Sequence, residues 1–205
     1  DGTQDIEGLK YKNNNRDYES RGIELNFDMA LGDHQLAFGG RVHEDELDRF
    51  QPEDVYNQVD GQLVYVSTTA PTGSNNRFET ADALSLWLVD GWQVTDALNV
   101  NLALRWEDVE SSRKEYADPQ RNELNSRRSN DNAEWLPGAS FTYDLSESWQ
   151  LLAGVHKGFS PLGGGAQSFE EPETSTNYEA GVRYRGQWFV EAVGFYSDFD
   201  NKSEN

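Results

Sequence analysis

The sequence contains no cysteine and only one methionine among its 205 residues. Without cysteine there is no disulfide framework, the usual staple of a small secreted domain. A large sheet that closes its own backbone hydrogen bonds and a protein of a reducing compartment both fit that absence. No apolar run approaches the roughly 18 residues that a membrane-spanning helix requires. The longest candidate, Leu84 to Val89, is interrupted by Ser85 and stopped by Asp90. Basic residues are scarce, 17 against 37 acidic ones, for a net charge of -20. That balance excludes nucleic acid as a partner, because a phosphate backbone would be repelled. It suits divalent cations, cationic partners or a strongly solvated surface. The chain opens on Asp1-Gly2-Thr3-Gln4, without the basic and apolar regions of a signal peptide. This is the expectation for either a mature N-terminus or an internal piece.

Aromatic residues, by contrast, are plentiful: 12% of the chain, too many for a disordered acidic tail. They lie in segments of strict alternation joined by short turns. Ile23, Leu25, Phe27, Met29 and Leu31 share one face of a segment whose other face carries Glu24, Asn26 and Asp28. The turn Gly32-Asp33-His34 then leads into Gln35 to Val42. Period two is the signature of a strand with one apolar face. A second pair runs from Asp82 to Glu110 around Thr95-Asp96-Ala97. On its return strand Leu98, Val100, Leu102, Leu104 and Trp106 alternate with Asn99, Asn101, Ala103, Arg105 and Glu107. The incoming strand puts Asp90 on the face of Leu84, Leu86, Leu88, Trp92 and Val94; a bulge or a rim position near Asp90 would reconcile this. Further pairs run from Leu136 to Phe159 around Ser146-Glu147-Ser148, and from Asn177 to Phe199 around Gly186-Gln187. Eight strands are thus expected.

Between the pairs lie long polar connections, Asp48 to Thr80, Ser111 to Glu134 and Ser160 to Thr176, rich in turn-forming residues. Strict alternation of short turns and long loops is the habit of outer-membrane barrels, whose short turns face the periplasm. Trp92, Trp149 and Trp188 fall near the short-turn ends, and Trp106, Phe159 and Tyr196 near the long-loop ends, as two lipid–water interfaces select. The expected fold is all-β: an antiparallel up-and-down transmembrane β-barrel segment of about eight strands. A soluble secreted β-sandwich, such as a carbohydrate-binding module, has similar alternation and requires Leu98 to Leu104 to pack on a second sheet. Eight strands also suffice geometrically for a small closed barrel.

Catalytic constellations are missing. The three histidines, His34, His43 and His156, are scattered. His34 sits in a tight turn and is expected to be solvated, and His156 should face the polar side of its strand. In His43-Glu44-Asp45-Glu46 alternation allows only His43 and Asp45 to converge, so no metal site is assigned. Gly163-Gly164-Gly165 lacks the lysine and hydroxyl of a phosphate-binding loop and is read as flexible. No enzyme activity and no cofactor are expected. The connection Ser111 to Glu134 carries Arg113, Lys114, Arg121, Arg127 and Arg128, together with as many acids. Guanidinium forks suit the carboxylates of an anionic ligand, which makes Arg113, Arg121, Arg127 and Arg128 the candidate ligand-binding residues.

Several stretches resemble one family. Leu84-Ser-Leu-Trp-Leu-Val-Asp-Gly-Trp-Gln-Val-Thr-Asp-Ala-Leu-Asn-Val-Asn-Leu-Ala-Leu-Arg-Trp-Glu107 is similar to the barrel hairpin of TonB-dependent outer-membrane receptors. Leu136-Pro-Gly-Ala-Ser-Phe-Thr-Tyr143 and Gly154-Val-His-Lys-Gly-Phe-Ser-Pro161 resemble the next such hairpin. Pro172-Glu-Thr-Ser-Thr-Asn-Tyr-Glu-Ala-Gly-Val182, followed by Phe195-Tyr-Ser-Asp198, resembles a later one. The loop from Asp45 to Gly61 is most similar to receptors of the ferric-citrate type. The resemblance implies import of ferric chelates, siderophore or ferric citrate, across the Gram-negative outer membrane. The TonB energy-transducing system would act through a plug domain. Neither plug nor TonB box is visible, and the chain ends at Asn201-Lys-Ser-Glu-Asn205, so residues 1–205 are expected to be an internal barrel fragment. The resemblance also implies that Asn99, Asn101, Arg105, Glu179 and Arg183 face the lumen. Leu98, Val100, Leu102 and Leu104 would meet outer-membrane lipid.

Overall fold

The computed structural model describes residues 5–201, and every regular element among them is a strand. Asp1–Gln4 and Lys202–Asn205, on which the readings of the chain ends rest, lie outside the described residues. In chain order the strands are β1 (Ile6–Lys12), β2 (Arg16–Leu31), β3 (His34–Phe50), β4 (Glu53–Val59), β5 (Gln62–Thr69) and β6 (Gly73–Thr95). They continue with β7 (Leu98–Tyr116), β8 (Leu124–Asp144), β9 (Trp149–Ser160), β10 (Glu173–Arg185) and β11 (Phe189–Asp200). Eight form one antiparallel sheet in the order β11-β10-β9-β8-β7-β6-β3-β2, and β1, β4 and β5 form a small second sheet in the order β1-β4-β5. The eight long strands are those the alternation predicts. The sheet is open, since β2 and β11 are its two edges and do not pair with each other.

Register turns alternation into continuous faces. Met29, Leu36, Asp90, Leu102, Ala139, Val155, Tyr178 and Tyr196 are successive cross-strand partners from β2 to β11. The neighbouring row toward the short turns reads Leu31, His34, Trp92, Val100, Phe141, Ala153, Ala180 and Gly194. On the opposite face the row Gln35, Gly91, Asn101, Ser140, Gly154 and Glu179 is polar or small as far as β10, and it ends on the exposed Phe195 of β11. The apolar face has no protein against it: Ile23 is 68% exposed, Leu25 59% and Phe27 54%. Among the described residues Val109 is the only buried hydrophobic side chain. A sandwich needs a second layer over Leu98 to Leu104, and the small sheet instead grows from the long-loop end of β3, so the soluble-sandwich reading fails. Covering each such Leu, Val or Phe with hydrocarbon is worth roughly 1.5–3 kcal/mol. An apolar face of this extent is stable only in lipid.

The long connections depart from expectation. Ser111 to Tyr116 and Leu124 to Glu134 are strand, leaving only residues 117–123 as the turn between β7 and β8. Likewise β6 begins at Gly73 and runs 23 residues. At about 3.3 Å per residue such a strand is far longer than the roughly 30 Å hydrocarbon layer, so the outer halves of β3, β6, β7 and β8 stand above the membrane as a rigid wall. Polar composition was mistaken for loop, because a strand in water on both faces loses its apolar alternation. The segment 51–72 holds the hairpin β4–β5 at its centre, where Asp60 (φ 51°) and Gly61 (φ 76°) form the two-residue turn.

No bulge relieves Asp90. Pairing runs unbroken through Leu36, Asp90 and Leu102, and the irregularities in β6 lie between Gly73 and Arg77 and between Gln93 and Thr95. His34, expected to be solvated in the turn, is instead the first residue of β3, with its ring stacked on Trp92 and its Nδ1 2.8 Å from Asp90. Aromatic groups form two girdles on the apolar face: Trp106 with Trp135 toward the long-loop ends, and Trp92 and Trp149 near the short turns, with Tyr178 and Tyr196 paired between the ends of β10 and β11. Above the apolar band the same face turns acidic, with Glu44, Asp82, Glu110 and Asp131 successive partners beside Arg21.

Replacing Leu104, whose partners on the apolar face are Leu88 and Pro137, with arginine should destabilise the full receptor by roughly 2–4 kcal/mol near the bilayer midplane. Asn101→Arg on the polar face should cost well under half as much. Urea unfolding in lipid vesicles checks this; equal losses at the two positions would refute the assignment of the faces.

Candidate ligand site on the polar face

Beyond the level of the girdles, the polar face carries a ladder of arginines. Arg16, Arg49 and Arg77 are successive partners on β2, β3 and β6, and Glu115 on β7 completes the row. One step toward the membrane, Tyr18, Leu47, Glu79, Arg113 and Arg128 form the next row across five strands. Five guanidinium groups thus share two rows with two carboxylates, in a chain that is otherwise strongly acidic.

Carboxylates form ion pairs with two of them, Arg77 and Arg113. Glu79 Oε1 lies 2.6 Å from both Arg77 Nε and Arg113 Nε. The angles are poor for hydrogen bonds, and all three atoms are buried without a well-directed partner. Arg49 is held below the ordinary range by burial and then by Arg16. Arg77 is lowered by burial, with Arg113 and Arg49 adding to the effect against the opposing pull of Glu79. A guanidinium does not deprotonate in a protein, so these shifts express burial first and the nearness of other guanidinium groups second. Arg49 Nε donates to Gln51 Oε1 at 2.6 Å, and the buried Gln51 amide is held in turn by Asn14.

The connection between β9 and β10 folds back onto this face. Ser111 Oγ donates to Leu162 O (2.9 Å), Leu162 N to Asn132 Oδ1 (2.7 Å), Asn130 Nδ2 to Gly163 O (2.9 Å) and Arg128 Nη1 to Gly165 O (2.7 Å). Gly164 lies so close to β7 that a Cβ there would come within 2.4 Å of the Ser112 carbonyl. The triple glycine, read as flexible, is therefore a fastened strap whose glycine permits close backbone approach. Between strap and sheet lies a cleft of about 510 Å³, lined by Tyr18, Leu47, Glu79, Val109, Ser111 and Pro161 among others. Its size is that of a small-molecule site; Tyr18, Leu47 and Glu79 of the second row line it together with Glu19, Asp45 and Glu46, and the arginines lie outside its lining.

Of the four arginines expected to bind ligand, the structure brings two together. Arg113 and Arg128 are direct partners. Arg121 is spent on structure: its guanidinium binds both Asp48 oxygens (2.9 and 2.5 Å), donates to Asn76 Oδ1 (2.7 Å) and lies over Tyr116. Asp48 holds it above its ordinary range. Arg127, partnered with Lys114, is on the opposite face from Arg128. Arg16, Arg49 and Arg77 were missed, although the register of β2, β3 and β6 aligns them once strands are extended past Glu44. Lower on the polar face, Asn99, Asn101, Arg105, Glu179 and Arg183 all lie on that side, and Leu98, Val100, Leu102 and Leu104 on the other. Arg105 bonds Glu107 (2.5 Å) and approaches Trp87, and Arg183 bonds Glu191 (2.5 Å) and Gln150 (2.7 Å). His43 and Asp45 share a face, 3.6 Å apart.

A single antiparallel sheet with a lipid-ready face, two aromatic girdles and a polar inner face is the wall of a transmembrane β-barrel. The family model described as TonB dependent receptor-like, beta-barrel matches residues 2–205, and the chain belongs to that family. Members of the family are outer-membrane receptors rather than enzymes. The chain is 25% identical over 142 residues to the pesticin receptor of Yersinia pestis, covering 65% of this chain and 21% of that protein. Its fold is similar to the ferric citrate transporter FecA in the unliganded form, with a TM-score of 0.71, 20% identity, and 98% of this chain against 30% of that one. It is similar as well to the ferric yersiniabactin uptake receptor FyuA of Yersinia pestis (TM-score 0.67, 19% identity, 92% of this chain and 29% of that one). The chain therefore spans less than a third of the length of each.

Gly164→Val should unseat the strap, seen as protease cleavage within 161–172 and faster amide exchange at Leu162. Arg121→Ala should raise exchange at the tips of β6 and β7 about tenfold, equivalent to about 1.4 kcal/mol. The tip also depends on Asp118, held below the ordinary carboxylate range by accepting from the Glu123 and Gln120 amides. A depressed folded pKa means that its contribution is complete above the unfolded value of about 3.9 and is lost as pH falls through the folded one. Protection of the Glu123 amide should therefore be constant from about pH 5 to 8 and disappear in Asp118→Ala, which removes the acceptor.

Proposed function

We propose that this chain forms part of the wall of an outer-membrane receptor that imports ferric chelates, and that the chelate is anionic. The observation that carries the reading is the arginine ladder beside the cleft on the polar face. A ferric chelate built from carboxylates or similar oxygen donors keeps negative charge at its periphery, and guanidinium forks bind such groups two bonds at a time. Crowded and partly desolvated guanidinium groups gain most from such a partner. The site lies beyond the outer girdle, where a ligand arriving from outside reaches it first.

In this reading Arg16, Arg49 and Arg77 make first contact, while Arg113 and Arg128 lie under the strap at Gly165. Asn99, Asn101, Arg105, Glu179 and Arg183 line the water-filled lumen deeper in. Leu98, Val100, Leu102 and Leu104 meet the lipid of the outer membrane. Energised release, through TonB and a plug domain, is a property of the whole receptor. The share assigned to these residues is wall, lumen lining and outer loops. Fold alone does not choose the cargo, since the copper transporter OprC shares it with a TM-score of 0.57. The ladder is what favours an anionic chelate here.

The test is binding of ferric citrate, as the probe, to the full receptor in micelles, followed by tryptophan fluorescence. Arg49→Gln with Arg77→Gln should weaken binding at least tenfold, the worth of a charge-assisted hydrogen bond. Rising salt should weaken binding to the unaltered receptor but hardly affect the variant. Unchanged affinity in the double variant would refute the ladder as the ligand site.

A further inference from the structure

Asp90 is a carboxylate in the apolar band, between Leu36 and Leu102 in its row and between Leu88 and Trp92 along its strand. A lipid-facing charge is tolerated close to an interface and is costly at the midplane. The ring of Trp92 and the short turns place Asp90 about one girdle step inside the membrane's inner boundary. Its partner is His34, whose Nδ1 lies 2.8 and 3.1 Å from the two carboxylate oxygens. A carboxylate only accepts, so Nδ1 carries the proton. The imidazole lies flat on Trp92, with ring centres 5.3 Å apart and planes 14° apart. Among the described residues Nε2 has no hydrogen-bond partner, and the His34 side chain is 38% exposed.

A paired acid and imidazole, stacked on an indole at headgroup depth and surrounded by Leu31, Leu36, Val100 and Leu102, amount to a small polar patch on an otherwise apolar wall. We propose that His34 and Asp90 dock the headgroup of a phospholipid that carries both a phosphate and a primary ammonium. When the imidazole carries both protons, Nε2–H donates to a phosphate oxygen; when it carries one, bare Nε2 accepts from the ammonium. The remaining lone pairs of Asp90 accept from the ammonium in either state. The acyl chains then lie along Leu36, Leu102 and Leu88. A phospholipid with phosphate and no ammonium leaves Asp90 facing a like charge and is disfavoured. The inference rests on the reading of the apolar face as lipid-facing.

The experiment reconstitutes the full receptor into vesicles of equal parts phosphatidylethanolamine and phosphatidylglycerol. The lipids retained after gentle extraction are counted by native mass spectrometry. The unaltered receptor should retain phosphatidylethanolamine over phosphatidylglycerol by roughly two- to fivefold, the worth of an exposed ion pair. Asp90→Asn should abolish the preference, and Asp28→Asn, on the polar face, should leave it intact. Should Asp90→Asn fail to insert, His34→Phe keeps the stack on Trp92, removes the ring nitrogens and should likewise lose the preference. Equal retention by the unaltered receptor, or an undiminished preference in the inserted His34 or Asp90 variants, would overturn the site alone. Failure of the unaltered receptor to insert would overturn the lipid-facing reading together with it.

Discussion

Everything in this chain depends on one property of a β-strand, that consecutive side chains point to opposite sides while the backbone bonds sideways. A sheet can therefore hold two solvents apart without a core. Hydrocarbon on one face demands that every backbone group be paired within the sheet, and the antiparallel ladders meet that demand across the interior strands. Water on the other face leaves side-chain choice free for chemistry. That explains how a chain with a single buried hydrophobic residue among those described is nevertheless ordered. The apolar transfer that a soluble domain gains inside itself is here gained against lipid.

The same geometry explains why the arginines gather at the outer rim. Above the lipid both faces of the wall meet water, and the strands continue because their ladders continue, held at the tips by Arg121 on Asp48 and Asn76. A rigid rim allows like charges to be held in rows. Arginines that would drift apart on a flexible loop are kept adjacent by register, and the strap from Pro161 to Gly165 is fastened over two of them. The crowding is tolerated because sheet pairing fixes the backbone whatever the side chains prefer.

Where one face is apolar the sequence is easily read: Leu98 to Trp106 alternates so cleanly that the two faces of β7 follow from it, and register sets Leu98, Val100, Leu102 and Leu104 on the face opposite Asn99, Asn101 and Arg105. Legibility failed where lipid ended. Ser111 to Glu134 shows no apolar face because neither face needs one, and a strand pair looked like a loop. Asp60-Gly61, a hairpin turn by its chemistry, was overlooked within a segment already taken as irregular. The site suffered accordingly. Arg113 and Arg128 stand out by local composition, whereas Arg16, Arg49 and Arg77 are distant in sequence and converge only through pairing. Arg121 and Arg127 were grouped with them by proximity along the chain, which says nothing about facing. Asp90 broke the alternation visibly, but its reason, His34 from the preceding hairpin, is a tertiary contact.

The most direct test of the account is a spin-label scan of β7 from Leu98 to Asp108 in the full receptor, reconstituted in vesicles, with accessibility to oxygen and to a water-soluble nickel reagent. The account predicts oscillation of period two. Oxygen should reach labels at positions 98, 100, 102 and 104 most readily, and the nickel reagent those at 99, 101, 103 and 105. A profile without that oscillation, or one in which both sets avoid oxygen, would contradict a wall that separates lipid from water.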